Sequence, residues 1–201
     1  MVRPLSEVLE RAGRYFMGES PIHRAARRLA RTLDEMGIPF AIAGALAVNA
    51  HGHMRTSEDV DVLLTRAGLA AFKERWLGRG WLERFAGSKG LRDTVEGVRI
   101  DVLLSGEYPG DGKPKPVAFP EPGPEVTVAE PSGLRVLSLP VLLELKIASG
   151  MTAPHRPRDL DDAIQLIAKN ALPLEYAERL NPYVRDKYAE LWRAAQLEED
   201  F

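Results

Sequence analysis

The chain has 201 residues, 45% hydrophobic and 28% charged, with 27 basic and 29 acidic side chains and a formal net charge of −2. This suits one compact globular domain, or a core with a small appended lobe. Such a balance excludes an overall field that would gather nucleic acid or an anionic membrane, so any polyanion site must be a local cluster. Cysteine is absent, which excludes disulfides and thiolate metal sites and gives no sign of an oxidising compartment.

Met1 to Phe16 carries Arg3, Glu7, Glu10, Arg11 and Arg14 with no continuous apolar run, so it does not read as a signal peptide. No stretch approaches the ~20 apolar residues that span a bilayer. The expectation is a cytoplasmic protein with no membrane contact. Ser20-Pro21 reads as a helix start, with Ser at the cap and Pro at the first helical position. Ile22, Ala26, Leu29, Leu33 and Met36 then repeat at helical steps, and Gly37 ends the run. Arg24, Arg27, Arg28 and Arg31 lie on the other side and read as a solvated face, with an RNA or phosphate contact as the alternative.

Pro39 to Ala43 predicts a short strand. Gly44 follows it, and Ala45 to His51 predicts one or two helical turns. Asp59 to Leu64 alternates carboxylates with valines and reads as a second strand. Thr65 can cap a helix through Trp76 and Leu77, with Leu69, Phe72 and Trp76 inward and Gly78 and Gly80 ending it. Thr94-Val95 and Val98 to Leu104 flank Glu96-Gly97, which predicts a hairpin. Residues 105–124 are dense in proline and glycine, and a connection of that kind is functional or poorly ordered.

A strand near Val126 to Val128 follows. Helices are then expected from Ser138, from near Arg158-Asp159, and from Pro173 to Phe201 with a break at Asn181-Pro182. Helix, strand, helix, strands and then helices make an α+β (or α/β) fold, a small mixed sheet flanked by helices with a helical extension. The division expected is a core over 1–150, including the N-terminal helices, and a helical region over 151–201.

Residues two apart on a strand face the same way, ~6.6–7 Å apart. Asp59 and Asp61 therefore present both carboxylates on one side while Val60 and Val62 pack on the other. On Arg99-Ile100-Asp101-Val102-Leu103, Asp101 points away from the buried face. If the two strands are neighbours, ~4.8 Å apart, three carboxylates cluster. Such a cluster repels itself unless cations neutralise it, and a pair of Mg²⁺ ions would do so while clamping a phosphoryl displacement. A short helix opening after Gly44 offers free backbone N–H groups to a phosphate.

Gly44 to Gly52, then Arg55-Thr56, then Glu58-Asp59-Val60-Asp61-Val62-Leu63 resembles the signature of the minimal nucleotidyltransferases, the superfamily with a DNA polymerase β-like fold. The branch it is most similar to is the abortive-infection toxin type. The resemblance resumes at Leu143-Glu144-Leu145-Lys146 and at Arg156-Pro157-Arg158-Asp159-Leu160-Asp161-Asp162. It spans roughly 38–167 and is weakest in the proline-rich loop.

The resemblance implies a nucleotidyltransferase that uses Mg²⁺ and an NTP such as ATP. Asp59 and Asp61 would hold the metals that bind the triphosphate, and Asp101 would complete the second metal site and help deprotonate the acceptor hydroxyl. Gly44 and Ala45 would bring backbone to the phosphates. Lys146 and Arg158 would meet phosphate charge, and Arg55 would do the same or support the turn. Ala45 departs from the family's Ser or second Gly, so it supplies no hydroxyl and restricts positive φ.

An RNA (tRNA) or protein acceptor, and a toxin role with an antitoxin partner, are the implied biology. A nucleotide- or RNA-binding module with decayed chemistry and a small-molecule nucleotidyltransferase are the alternatives. His51 reads as a turn-packing residue rather than a metal ligand, His53 likewise as no ligand, Trp76 and Trp81 as core residues, and Glu58 as solvated. Asp159 and Asp162 cap the helix that begins near Arg158-Asp159 and pair with Arg158, or join the site.

Overall fold

The computed structural model describes residues 5–198; the outermost residues of both expected terminal stretches, among them Arg3 and Phe201, lie outside them. The chain begins with α1 (Leu5–Phe16) and α2 (Pro21–Glu35). Pro21 sets φ for the first turn of α2, and the Ser20 hydroxyl bonds His23 Nδ1 at 2.9 Å instead of capping a backbone N–H. Then come β1 (Phe40–Ile42), α3 (Gly44–Ala50), β2 (Asp59–Leu64) and α4 (Arg66–Trp76). Thr65 caps α4, its Oγ1 accepting from Gly68 N at 2.9 Å.

Strands β3 (Trp81–Glu83), β4 (Leu91–Asp93), β5 (Arg99–Leu104), β6 (Thr127–Ala129) and β7 (Arg135–Leu137) follow. Helices α5 (Leu139–Thr152), α6 (Pro157–Lys169) and α7 (Pro182–Glu198) complete the order, with a 3₁₀ turn at Leu174–Arg179 before α7.

The architecture is a mixed α+β fold. Among the described residues the sheet has seven strands in the order β3-β4-β5-β2-β1-β7-β6. β2 runs antiparallel to β1 and parallel to β5, and β1 runs parallel to β7. Helix α2 packs on β1 and β2, and α6 and α7 pack against α5. One apolar core runs from Tyr15 to Ala195 and holds Val60, Val62, Ile100 and Val102, the inward positions of the two central strands. The division expected at 150/151 falls inside α5.

Three local expectations change. The β4–β5 hairpin is built from Leu91–Asp93 rather than Thr94-Val95. Asp93 Oδ1 accepts from Val95 N and Glu96 N, which turns the chain immediately after β4. Strands β3 and β7 were not anticipated, since three residues between turn signals carry too little periodicity to register.

Two of the α2 arginines, Arg28 and Arg24, hold the β4–β5 turn, while Arg31 is exposed as expected of a solvated face. Arg28 donates to both carboxylate oxygens of buried Asp93, at 3.1 and 2.7 Å, and lies 4.2 Å over the Trp81 ring. Arg24 holds Glu96 in the adjoining turn.

Candidate active site

The parallel register of β2 and β5 sets Asp59 beside Arg99 and Asp61 beside Asp101. Asp59, Asp61 and Asp101 open onto one cleft of about 770 Å³. Burial pushes the Asp61 carboxyl up to about 6, with the Asp59 and Asp101 charges adding to it and Lys146 and Arg156 opposing. The outer two carboxylates have their own partners. Asp59 accepts from Ser57 Oγ at 2.8 Å and lies 3.6 Å from Arg99, while Asp101 accepts from Arg84 at 2.7 Å. Glu58 is largely solvated, 3.9 Å from Arg99.

Gly44 shapes the floor of this cleft. It takes φ +55°, and a Cβ built there would lie 1.8 Å from Asp61 Oδ2. Only a glycine lets the backbone turn left-handed with a carboxylate against it. Ala43 N also donates to Asp61 O at 2.9 Å, tying β1 to β2 beside the carboxylate. Ala45 sits one step on, inside α3, with its side chain buried and off the cleft wall. The left-handed position is Gly44, so the methyl of Ala45 does not strain the turn, and it does not line the cleft.

The predicted cations divide. Lys146 Nζ is buried between Asp159 (2.7 Å) and Asp162 (2.6 Å), and Ser149 Oγ donates to Asp159 at 2.6 Å. Burial raises the Asp159 carboxyl, but the Lys146 charge and the hydrogen bonds from Lys146 and Ser149 outweigh it and hold it below its usual range. Arg55 approaches Asp162 at 2.8 Å, and its backbone N–H and C=O are both held by the Asn49 amide at 2.9 Å.

Asp159 and Asp162 therefore pair with Lys146 and Arg55, not with Arg158. Two cations and two anions cancel, bolting α6 to α5 and to the segment that leads into β2. Arg158 lies exposed on the cleft rim beside Arg156, whose guanidinium is 4.0 Å from Asp159.

A second cavity of about 930 Å³ adjoins the first and shares Asp61 and Asp101 with it. Its walls are the β3–β4 turn, with Arg84 and Phe85, and the proline- and glycine-rich connection. That connection is irregular but anchored, through Gly106 N to Phe119 O and Phe119 N to Glu107 O. At Gly110 (φ +74°) a Cβ would lie 2.3 Å from Thr152 Oγ1 of α5, so the loop lies directly on the helix.

Sequence reasoning missed Arg84 because β3 carries no periodic signal. It missed the part of Arg156 because the residue reads as a helix-flanking position ahead of Pro157.

The donor set fits a hard divalent cation: carboxylate oxygens on adjacent rigid strands, one of them raised by burial and by its carboxylate neighbours. Among the described residues, a separate group with mutually close ligand atoms is His53, Asp161 and Asp162. Lys146 and Arg55 already neutralise Asp162 there. His51 Nε2 instead lies 2.7 Å from Leu137 O, packing the turn after α3. Trp81 is fully buried, and Trp76 packs against the core.

No family model matches the sequence, and no curated protein matches it. Among solved structures, the crystal structure of ANT(2'')-Ia in complex with adenylyl-2''-tobramycin aligns with TM-score 0.46 and 15% identity, covering 84% of this chain and 93% of that one. The solution structure of the antibiotic-resistance factor ANT(2'')-Ia aligns with TM-score 0.47 and 18% identity, covering 83% and 92%. Both scores lie below 0.5. Among the described residues no helix is long and apolar enough to cross a membrane.

Proposed function

We propose that the protein is a divalent-metal-dependent nucleotidyltransferase that moves a nucleoside monophosphate from an NTP to a hydroxyl and releases pyrophosphate. The observation that carries this reading is the pairing of Asp61 with Asp101 across two parallel strands, with Asp59 two residues before on the same face of β2. In the reaction the acceptor oxygen forms a bond to the α-phosphorus, the bond from that phosphorus to the pyrophosphate oxygen breaks, and the hydroxyl proton leaves towards Asp101. Asp59, Asp61 and Asp101 would hold Mg²⁺, which supplies positive charge to the triphosphate and to the developing alkoxide. Gly44 keeps the floor of the site open to the Asp61 carboxylate, and Arg158 contributes charge at the rim. Lys146 acts through Asp159 and Asp162, positioning α6 rather than meeting phosphate.

The second cavity favours an acceptor small enough to lie between the β3–β4 turn and the proline-rich loop. Its lining balances four carboxylates (Asp61, Asp101, Glu107 and Asp111) with four cations (Arg66, Arg84, Lys89 and Arg156), and Asp101 pairs with Arg84 and Glu107 with Arg66 and Lys89. That leaves no surplus of positive charge for a polyanion. An RNA (tRNA) or protein acceptor, and a toxin–antitoxin role, rest on the sequence resemblance alone.

The test is Mg²⁺-dependent pyrophosphate release from ATP by the parent and by Asp59→Asn and Asp61→Asn. Loss in both variants supports the assignment, and equal activity in all three overturns it. ATP binding without pyrophosphate release in the parent would favour a nucleotide-binding module instead.

A further inference from the structure

The transferred α-phosphoryl group must touch both the nucleotide cleft and the space from which the acceptor attacks. Few side chains reach both. The residues that line both cavities are Asp61, Asp101, Leu103, Pro109, Phe119 and Arg156. Two are carboxylates, three are apolar, and one is a cation.

Lys146, Arg55, Arg99 and Arg158 line the first cavity without the second, and Arg84 lines the second without the first. Lys146 and Arg55 are also neutralised by close carboxylates, at 2.6–2.8 Å. Among the described residues the Arg156 guanidinium has one ion-pair contact, the loose one to Asp159 at 4.0 Å, and it stands exposed on the turn between α5 and α6. Its charge already acts on Asp61 across the cleft.

We infer that Arg156 is the catalytic cation of the transfer step, contacting the α-phosphoryl oxygens, whereas Arg158 serves the β- and γ-phosphates. This rests on the nucleotidyltransferase reading. An arginine at that point matches charge spread over equatorial phosphoryl oxygens, which grows as the leaving oxygen departs. Its fork of donors suits two oxygens at once, and lysine offers only a point charge. The sequence resemblance directs attention to Arg158, two residues on, because that residue precedes Asp159. The division of the two cavities separates them.

The experiment uses α,β-methylene-ATP with Mg²⁺ as a non-transferable probe, read by ³¹P NMR on the full chain, together with pyrophosphate release from ATP with water as the acceptor. Arg156→Ala is expected to move the α-phosphorus resonance of the bound probe while leaving its dissociation constant within about threefold. It is expected to slow release by about 100-fold, the usual loss when one transition-state donor is removed. Arg156→Lys recovers part of the rate. Arg158→Ala moves the β and γ resonances, and its loss falls on KM.

An α resonance in Arg156→Ala identical to the parent's, or a rate within about threefold of it, overturns the inference while leaving the transferase reading intact. A parent that binds no probe overturns the transferase reading itself. Because Arg156 is exposed, a thermal melt matching the parent's is expected and separates a folding defect from loss of contact.

Discussion

Asp61 destabilises the fold it serves, and Asp61→Asn measures by how much. Its carboxyl is raised from 3.8 to about 6 in the folded chain. Folding therefore favours the protonated form. That advantage is complete below the unfolded value near 3.8 and is lost as the pH rises through about 6. At pH 8 without metal the buried charge costs about 3 kcal/mol, taking 1.36 kcal/mol for each unit of a shift of about two units.

An asparagine of the same shape carries no such charge. Asp61→Asn in EDTA at pH 8 should therefore be more stable than the parent by up to about 3 kcal/mol, roughly 8 °C in Tm for a chain of this size. The gain should shrink to about half at pH 5 and vanish near pH 3. Saturating Mg²⁺ should stabilise the parent and not the variant. Urea melts at these three pH values decide the matter. A variant no more stable than the parent at pH 8, or a difference that does not vary with pH, would refute this account of the site's electrostatics.

Gly44→Ala places a Cβ against Asp61 Oδ2 at φ +55°. It should lower stability by about 1–2 kcal/mol and abolish Mn²⁺ binding measured by calorimetry; retained binding would contradict the proposed floor of the site. Ala45→Ser, by contrast, should leave pyrophosphate release no faster than the parent's, since the side chain faces the core rather than the cleft. Arg84→Ala frees Asp101 from a half-exposed ion pair and should tighten Mn²⁺ binding by about threefold, the scale of such a pair; weaker binding would show that Arg84 supports Asp101 rather than competing for it. Arg28→Ala strands the fully buried Asp93 and should cost about 3–5 kcal/mol in urea denaturation, with a loss under about 1 kcal/mol counting against the clamp.

The centre of the site was readable because its signal is periodic. Asp59 and Asp61 alternate with Val60 and Val62, and Ile100 and Val102 bracket Asp101 in the same way, so face and burial followed from the pleat alone. That β5 lies beside β2 is a long-range fact that local pattern cannot supply.

The cations were harder to read. Lys146 and Arg158 both look like phosphate ligands in one dimension, yet Asp159 and Asp162 follow at a helical step that turns both carboxylates onto Lys146. Arg28 reads as solvated until Asp93, 65 residues away, folds under it. The walls of the second cavity belong to a three-residue strand and an aperiodic loop, where sequence carries turn chemistry but no direction.

The positions of metal and triphosphate in the cleft can be located in a crystal. Crystals of the parent protein soaked with Mn²⁺ and a non-hydrolysable NTP, with data collected at the manganese edge, locate the ions by anomalous scattering. Manganese is expected between Asp59, Asp61 and Asp101, with the triphosphate along the cleft towards Arg158. Manganese at His53, Asp161 and Asp162 instead, or a nucleotide bound away from β2 and β5, would contradict that placement.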